Sequence, residues 1–278
     1  MARRSRRLGR LSIRLGLALF AVWTLAPIAW LVLSSLMQQQ ALTATPPDFS
    51  LASFTMQNYV QVMSSAAALG RGLANSLVVA VATTGVALAV GAPAAYALAR
   101  FSLPGSGPIL LLILATQMFP GIVVAIPMFI VMSHLGLIDS RLGLVIVYLS
   151  FNLPIVIWIL HGFFQAIPVG LERAAAVDGA TMFQTFLLIV LPISWPPIFA
   201  TAIFAFIESW NEFFFALILT RQNAQTVPLV ISQFAGQYQT VFGQMMAAAT
   251  MAIAPVVVLA VIFRQSIMRG FAEGMIKS

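Results

Sequence analysis

Long apolar runs alternate with short polar breaks along this chain. Six of the runs, residues 15–37, 73–99, 109–132, 142–164, 198–220 and 245–263, are about as long as a membrane crossing requires. About 20 apolar residues at 1.5 Å each cover a hydrocarbon core of roughly 30 Å. The pattern therefore predicts six membrane-spanning helices. Pro120 and Pro127 lie inside the third run. Prolines are tolerated in membrane helices because neighbours satisfy the freed carbonyls, so the third run is expected to be one span. Residues 38–71 form the first long polar segment, with Pro46-Pro47-Asp48 as a turn, and residues 221–243 form a glutamine-rich loop.

One break is different. Between the fourth and fifth runs lies LERAAAVDGATMFQTFLLIVLP, residues 171–192, where charge, glycine and helix signals gather. Leu171 to Val177 reads as about two helical turns, since alanine has the best helix propensity. Asp178-Gly179 ends that helix, because glycine takes the left-handed C′ conformation without a steric cost. Thr181 and Gln184 fit a capping box for a second helix. Phe183, Phe186, Leu187 and Val190 fall at i, i+3, i+4 and i+7, which predicts one apolar face. Pro192 ends the run, and Pro196-Pro197 are expected to stop it continuing into the next span. The product is a helix–turn–helix hook tipped by Ala174-Ala175-Ala176. Spacing alone also fits a re-entrant or amphipathic connector.

Composition supports the membrane reading. Only 8% of the 278 residues are charged and 61% are hydrophobic, whereas soluble domains carry about 25% charged residues. There is no cysteine, which excludes disulfides and thiolate chemistry. The net charge of +7 comes from thirteen arginines and one lysine. They sit beside apolar runs rather than over a soluble surface, so nucleic acid is not the expected partner. Arg3, Arg4, Arg6, Arg7, Arg10 and Arg14 precede the first run, which lacks a convincing cleavage signal and is read as a span. Six spans put both termini on one side. That side holds eleven basic residues, Arg100 and Arg173 among them, against Arg71, Arg141 and Arg221 opposite. The positive-inside rule then predicts cytoplasmic termini and a cytoplasmic hook.

The hook resembles the EAA loop of ATP-binding-cassette importer permeases, whose pattern is E-A-A, three residues, G, nine residues, I-x-L-P. Ala174, Ala175, Gly179, Ile189, Leu191 and Pro192 fall in register. Asp178-Gly179-Ala180 resembles the carbohydrate-uptake, maltose-type branch. The pattern's glutamate would sit at Arg173; Glu172 is one residue early, a rotation of about 100° around a helix. Asn75-Ser76-Leu77, the stretch Ala94 to Arg100, Trp210-Asn211-Glu212-Phe213 and the ending Gly270 to Ser278 are similar to the same permeases. The resemblance implies an all-α membrane protein with the six-helix type I importer fold, resembling the shorter second permease of a sugar importer. A basic cytoplasmic N-terminus, residues 1–14, would precede a permease domain, residues 15–278, carrying its coupling loop at residues 168–192.

It further implies a heterodimer with a sister permease, two ATPase subunits that bind ATP and magnesium, and an extracytoplasmic solute-binding protein. The setting would be a bacterial cytoplasmic membrane. Coupling to the ATPase would fall to Glu172, Arg173, Ala174, Ala175, Asp178, Gly179, Ala180, Ile189, Leu191 and Pro192. The external loop, with Gln233, Gly236 and Gln237, would reach the binding protein, and the C-terminal tail would meet the ATPase interface.

No catalytic constellation or cofactor is expected in the chain itself. Lys277 is the only lysine and has no glycine-rich loop before it, so there is no P-loop. His134 and His161 lack a serine, aspartate or second histidine at helical spacing, and no metal ligand set is visible. Glu208 and Glu212 are one helical turn apart within the fifth run. A carboxylate at mid-membrane costs about 2.5–3.5 kcal/mol on insertion scales, so it should face protein or a watery path. With Gln117, Asn152 and Asn211 they form a candidate lining of the translocation path or of the seam with the sister subunit. Interhelical hydrogen bonding is the alternative. A secondary transporter using these carboxylates for ion coupling, or an importer of a non-sugar solute such as a glycerol phosphate compound, are the rival functions.

Overall fold

The computed structural model describes residues 2–64, 66–101, 105–236 and 241–263. Among them the structure is helical, with no strand beyond one isolated bridge between Met37 and Phe54. The chain forms two compact units, residues 1–69 with 230–254, and residues 70–229 with 255–278.

In the first unit, α1 (Ala2–Ser35) carries an apolar stretch, Ile13–Ser35, long enough to cross a membrane. Its large side chains point outward, Trp23 being 78% exposed. Short helices α2 (Gln39–Thr43) and α3 (Gln57–Ser64) follow. Asn58 on α3 donates its side-chain amide to the Ser35 and Met37 carbonyls, at 2.9 and 2.8 Å. A helix leaves its last carbonyls unpaired, and Asn58 supplies a donor there. Gly243, near the start of the helix Phe242–Ile262, lies against Asn58: a Cβ at this position would come within 2.6 Å of the amide.

The second unit is built on α4 (Ala66–Arg100), α7 (Arg141–Ala166) and α11 (Trp195–Asn211). α4 and α7 approach closely at Gly91, where an added Cβ would lie 2.8 Å from Val156 Cγ1. One apolar cluster gathers Val79, Leu144, Tyr148, Phe215 and Leu219. A second gathers Ala87, Tyr96, Leu160 and Phe164 with Phe186 and Val190 of the hook's return limb.

Two of the six runs are not single helices. The third divides into α5 (Ser106–Ala115), extended by a 3₁₀ turn at Thr116–Met118, and α6 (Gly121–His134), and the two parts are bent by 93°. Phe119 is extended at ψ 120° before Pro120, as the clash with a following proline ring requires. The fifth run stops at Asn211, turns extended at Glu212 (ψ 123°) and resumes as α12 (Phe214–Leu219). Pro196 and Pro197 fall in the first turn of α11, where proline's missing N–H costs nothing. They start a helix rather than merely ending one. Among the described residues four helices are long and apolar enough to cross a membrane, or up to six if the bent pairs Ser106–Met118 with Gly121–His134 and Met182–Ile193 with Trp195–Asn211 each count as one span.

Candidate functional site

The hook begins where α7 ends. Pro168 precedes α8 (Val169–Val177), and Asp178 caps it. Gly179 is left-handed at φ +86°. The Ala180 N–H reaches the Ala175 carbonyl at 2.9 Å and the Gly179 N–H reaches that of Ala176 at 3.1 Å. Those two bonds make a Schellman turn. Thr181 then opens α9 (Met182–Thr185) with both halves of a capping box: its N–H donates to Gln184 Oε1 at 2.8 Å, and the Gln184 N–H donates to Thr181 Oγ1 at 3.3 Å. The tip is thus a rigid turn with most of its polar backbone already paired.

The return limb differs from a regular helix. Phe186–Val190 is a π turn, and the Leu191 N–H bonds to the Phe186 carbonyl five residues back. The short α10 (Leu191–Ile193) follows, and the limb meets α11 at a 78° bend. The π turn splits the expected apolar face. Phe186 and Val190 are buried, whereas Phe183 is 70% exposed and Leu187 also faces outward.

Exposure divides the predicted coupling residues. Arg173, Ala174, Asp178, Gly179 and Pro192 are exposed, Ala180, Ile189 and Leu191 are half-buried, and Ala175 is buried. Sequence reasoning passed over the apolar side chains that dominate the tip. Val177 is 87% exposed, with Met182 and Phe183 beside it. A valine at the end of a helix carries no sequence signal of its own; only the turn at Gly179 turns it outward.

Glu172 points the other way. Its Oε1 lies 2.6 Å from Arg100 Nε at the end of α4, and its Oε2 accepts from the Tyr96 hydroxyl at 3.2 Å. Arg100 Nη2 also donates to the Ile167 carbonyl at 2.6 Å. Tyr96 packs on Phe186 and Phe164 with ring centroids 4.9 and 5.9 Å apart. Beside the foot of the hook is a cavity of about 900 Å³, lined by Trp158, His161, Pro168, Leu171, Ile193 and other residues.

The polar residues of the spans sort into two groups. Glu212 caps α12: its carboxylate accepts the N–H groups of Phe215 and Ala216 at 2.8 and 3.2 Å. Asn152 is buried and donates to the Tyr148 carbonyl and to Ser209 Oγ on α11. Gln117 donates to the Phe151 carbonyl. These three hold helices together. Glu208 and Asn211 are exposed, on one face with the exposed Phe204.

At the root of the glutamine-rich loop, Asp139 (φ +56°) gathers four successive backbone N–H groups, from Arg221, Gln222, Asn223 and Ala224, at 3.0–3.2 Å. Partial burial pushes its carboxyl up, but these donors outweigh that and hold it at about 2. Asn75 donates to the Asn223 and Gln225 carbonyls and accepts from Arg141 Nε. Gln233 and Gly236 are exposed further along the loop. Gln237 and the ending from Gly270 to Ser278 lie outside the described residues. Among the described residues no three histidine, aspartate or glutamate side chains come together to hold a metal ion.

Comparison with known proteins fits this architecture. The chain is 32% identical to the trehalose/maltose transport system permease protein MalG of Thermococcus litoralis, over 97% of this chain and 98% of that protein. It is 35% identical to the trehalose transport system permease protein SugB of Mycobacterium tuberculosis, over 92% and 93% of the two. Its fold is similar to a chain in the crystal structure of a bacterial ABC transporter involved in the import of the acidic polysaccharide alginate, with a TM-score of 0.76 at 23% identity and coverage of 94% and 97%. Residues 87–272, which contain the hook, match the model of one family of transport proteins. The chain belongs to that family, the inner membrane components of binding-protein-dependent transport systems.

Proposed function

We propose that this chain is one of two membrane subunits of an ATP-driven importer of a sugar or oligosaccharide, and that the hook is where a partner ATPase docks. The observation that carries this reading is the tip itself. Val177, Met182 and Phe183 are apolar and exposed on a turn stiffened by a Schellman motif and a capping box. An exposed apolar patch on a pre-ordered element marks a binding surface. The relatives that transport trehalose and maltose support the substrate class.

In this reading ATP and magnesium are held by two ATPase subunits and not by this chain. A solute-binding protein delivers from outside, meeting the loop that carries Gln233 and Gly236. Phe204, Glu208 and Asn211 face the sister permease or the watery path, where a carboxylate is tolerated within the bilayer. Both termini lie in the cytoplasm of a bacterial cell, as the distribution of basic residues supports. Transport proceeds by alternating access, the hook acting as the joint. A secondary transporter is less well supported, because Glu212 is committed to capping α12 and only Glu208 stands open.

The test is a pull-down of the ATPase from detergent extracts, with uptake of labelled sugars measured in cells. Val177→Asp with Phe183→Asp should abolish ATPase recovery while membrane insertion stays normal. Undiminished recovery would remove the hook from the interface. Uptake of a non-sugar solute alone, across a panel including trehalose, maltose and a glycerol phosphate compound, would overturn the substrate class.

A further inference from the structure

We propose that Arg100 and Glu172 form a latch that makes the hook and α4 a single lever, so that Arg100 is a positioning residue for transport. The proposal deepens the reading of the hook as the ATPase joint and rests on it. Arg100 is the last residue of α4, where an arginine side chain can ordinarily reach water. Here its side chain is 8% exposed and that of Glu172 is 12% exposed. One guanidinium holds two successive elements: Nη2 takes the Ile167 carbonyl at the end of α7, and Nε meets Glu172 in α8. One turn earlier on α4, Tyr96 holds the other oxygen of the same carboxylate and packs on Phe186 of the return limb. The end of α4 therefore grips α7, α8 and the return limb together.

Beside the hook's foot lies the cavity of about 900 Å³, into which Leu171 and Ile193 open. A buried ion pair is weak evidence for net stability, and its best-attested use is to fix register. The position of Glu172 fits that use. Lying one residue before the pattern's glutamate position, it is rotated about 100° from the face that Arg173 presents, and so turns into the protein while Arg173 stays outside. A push on the tip then reaches α4 through the Arg100–Glu172 ion pair and the Tyr96 hydroxyl, rather than being lost in movement of the foot.

The experiment uses the transporter reconstituted in proteoliposomes with its ATPase and binding protein. Arg100→Ala and Glu172→Ala should each leave ATPase recovery and ATP hydrolysis near the parent level, while solute taken up per ATP hydrolysed falls about tenfold, within the usual range for coupling between sites. The exchange Arg100→Glu with Glu172→Arg should restore part of the loss, which a purely volumetric role would not. Parent-level uptake per ATP in both single variants would overturn the latch. Should those variants fail to assemble, spin labels at Val177 and Gly85, where added bulk meets open space, report the lever directly. The parent should show one narrow distance and Glu172→Gln a broadened one. Equal widths would overturn the proposal. Because the free chain suffices for that measurement, a parent that never recruits an ATPase would defeat the docking reading while the latch is still tested.

Discussion

Two carboxylates tie loops to helices in the second unit, and they do it differently. Glu172, at the hook, meets two side chains, Arg100 and Tyr96. Asp139, at the root of the glutamine-rich loop, meets four backbone N–H groups from residues 221–224, with the Asn223 side-chain amide added at 2.9 Å. Backbone donors are present whatever side chains the loop carries, so the four backbone bonds of the Asp139 clamp survive any change in residues 221–224 that keeps their path, proline aside. The hook pair depends on two particular side chains and can be dismantled or exchanged. The Asp139 root is therefore a fixture, and the hook pair is an exchangeable contact.

The largest expected effect breaks the fixture. Asp139→Ala leaves four N–H groups without their acceptor. Charge-assisted bonds contribute about 1.5–3 kcal/mol each when shielded; with solvent competing at this partly exposed site, the sum should be about 3 kcal/mol, read as a fall in the thermal midpoint in detergent. The same clamp sets a pH dependence. Its carboxyl is held at about 2 against an ordinary 3.8, so the contribution is complete above about pH 4 and is lost as pH falls through 2. The clamp's share of thermal stability should be flat from pH 8 to 5; a clamp weakening within that range would contradict the assignment.

Next comes the rigid stretch of α4 through which the hook would act. Gly91→Val places a methyl-bearing Cβ against Val156, and overpacking of this kind costs about 1–3 kcal/mol. Uptake should fall with stability here, unlike at the latch. Gly179→Ala tests the tip, where φ is +86° but nothing lies within 4 Å of an added Cβ. Only backbone strain is added, about 1–2 kcal/mol, and ATPase recovery should weaken modestly.

The smallest expected change in stability sharpens the comparison most. Arg100→Met with Glu172→Leu replaces the ion pair by apolar bulk, which is often neutral or better for a buried pair. The thermal midpoint should hardly move while uptake per ATP drops. A large destabilisation instead would make the hook pair a fixture like Asp139.

Much of this was legible in the chain. The apolar runs, the turn at Gly179 and the Thr181–Gln184 capping box are local patterns, and each appears where the residues call for it. The interruptions were harder to read. Tolerance of proline in membrane helices predicts one span through Pro120; here Phe119 yields and the run bends by 93° between two helices. Glu212 resembles a lining residue by spacing, yet the chain breaks beside it and its carboxylate caps α12. The pairing of Arg100 with Glu172, and of Asp139 with residues 221–224, joins positions far apart in the chain. Nothing periodic announces such contacts, and backbone donors leave no residue type to recognise.

The π turn at Phe186–Val190 has a consequence for how long the hook can be. Each residue added to or removed from a helix shifts its phase by about 100°, and a π turn accommodates one residue more than a regular turn. The limb between Gly179 and Pro192 thus absorbs an extra step while keeping Phe186 and Val190 inward. Deleting one residue in the π turn would restore ordinary winding and turn α9, with Phe183, by about 100° relative to α10 and α11. The interval from Gly179 to Pro192 is accordingly a phase setting, in which the number of residues matters as well as their apolar character.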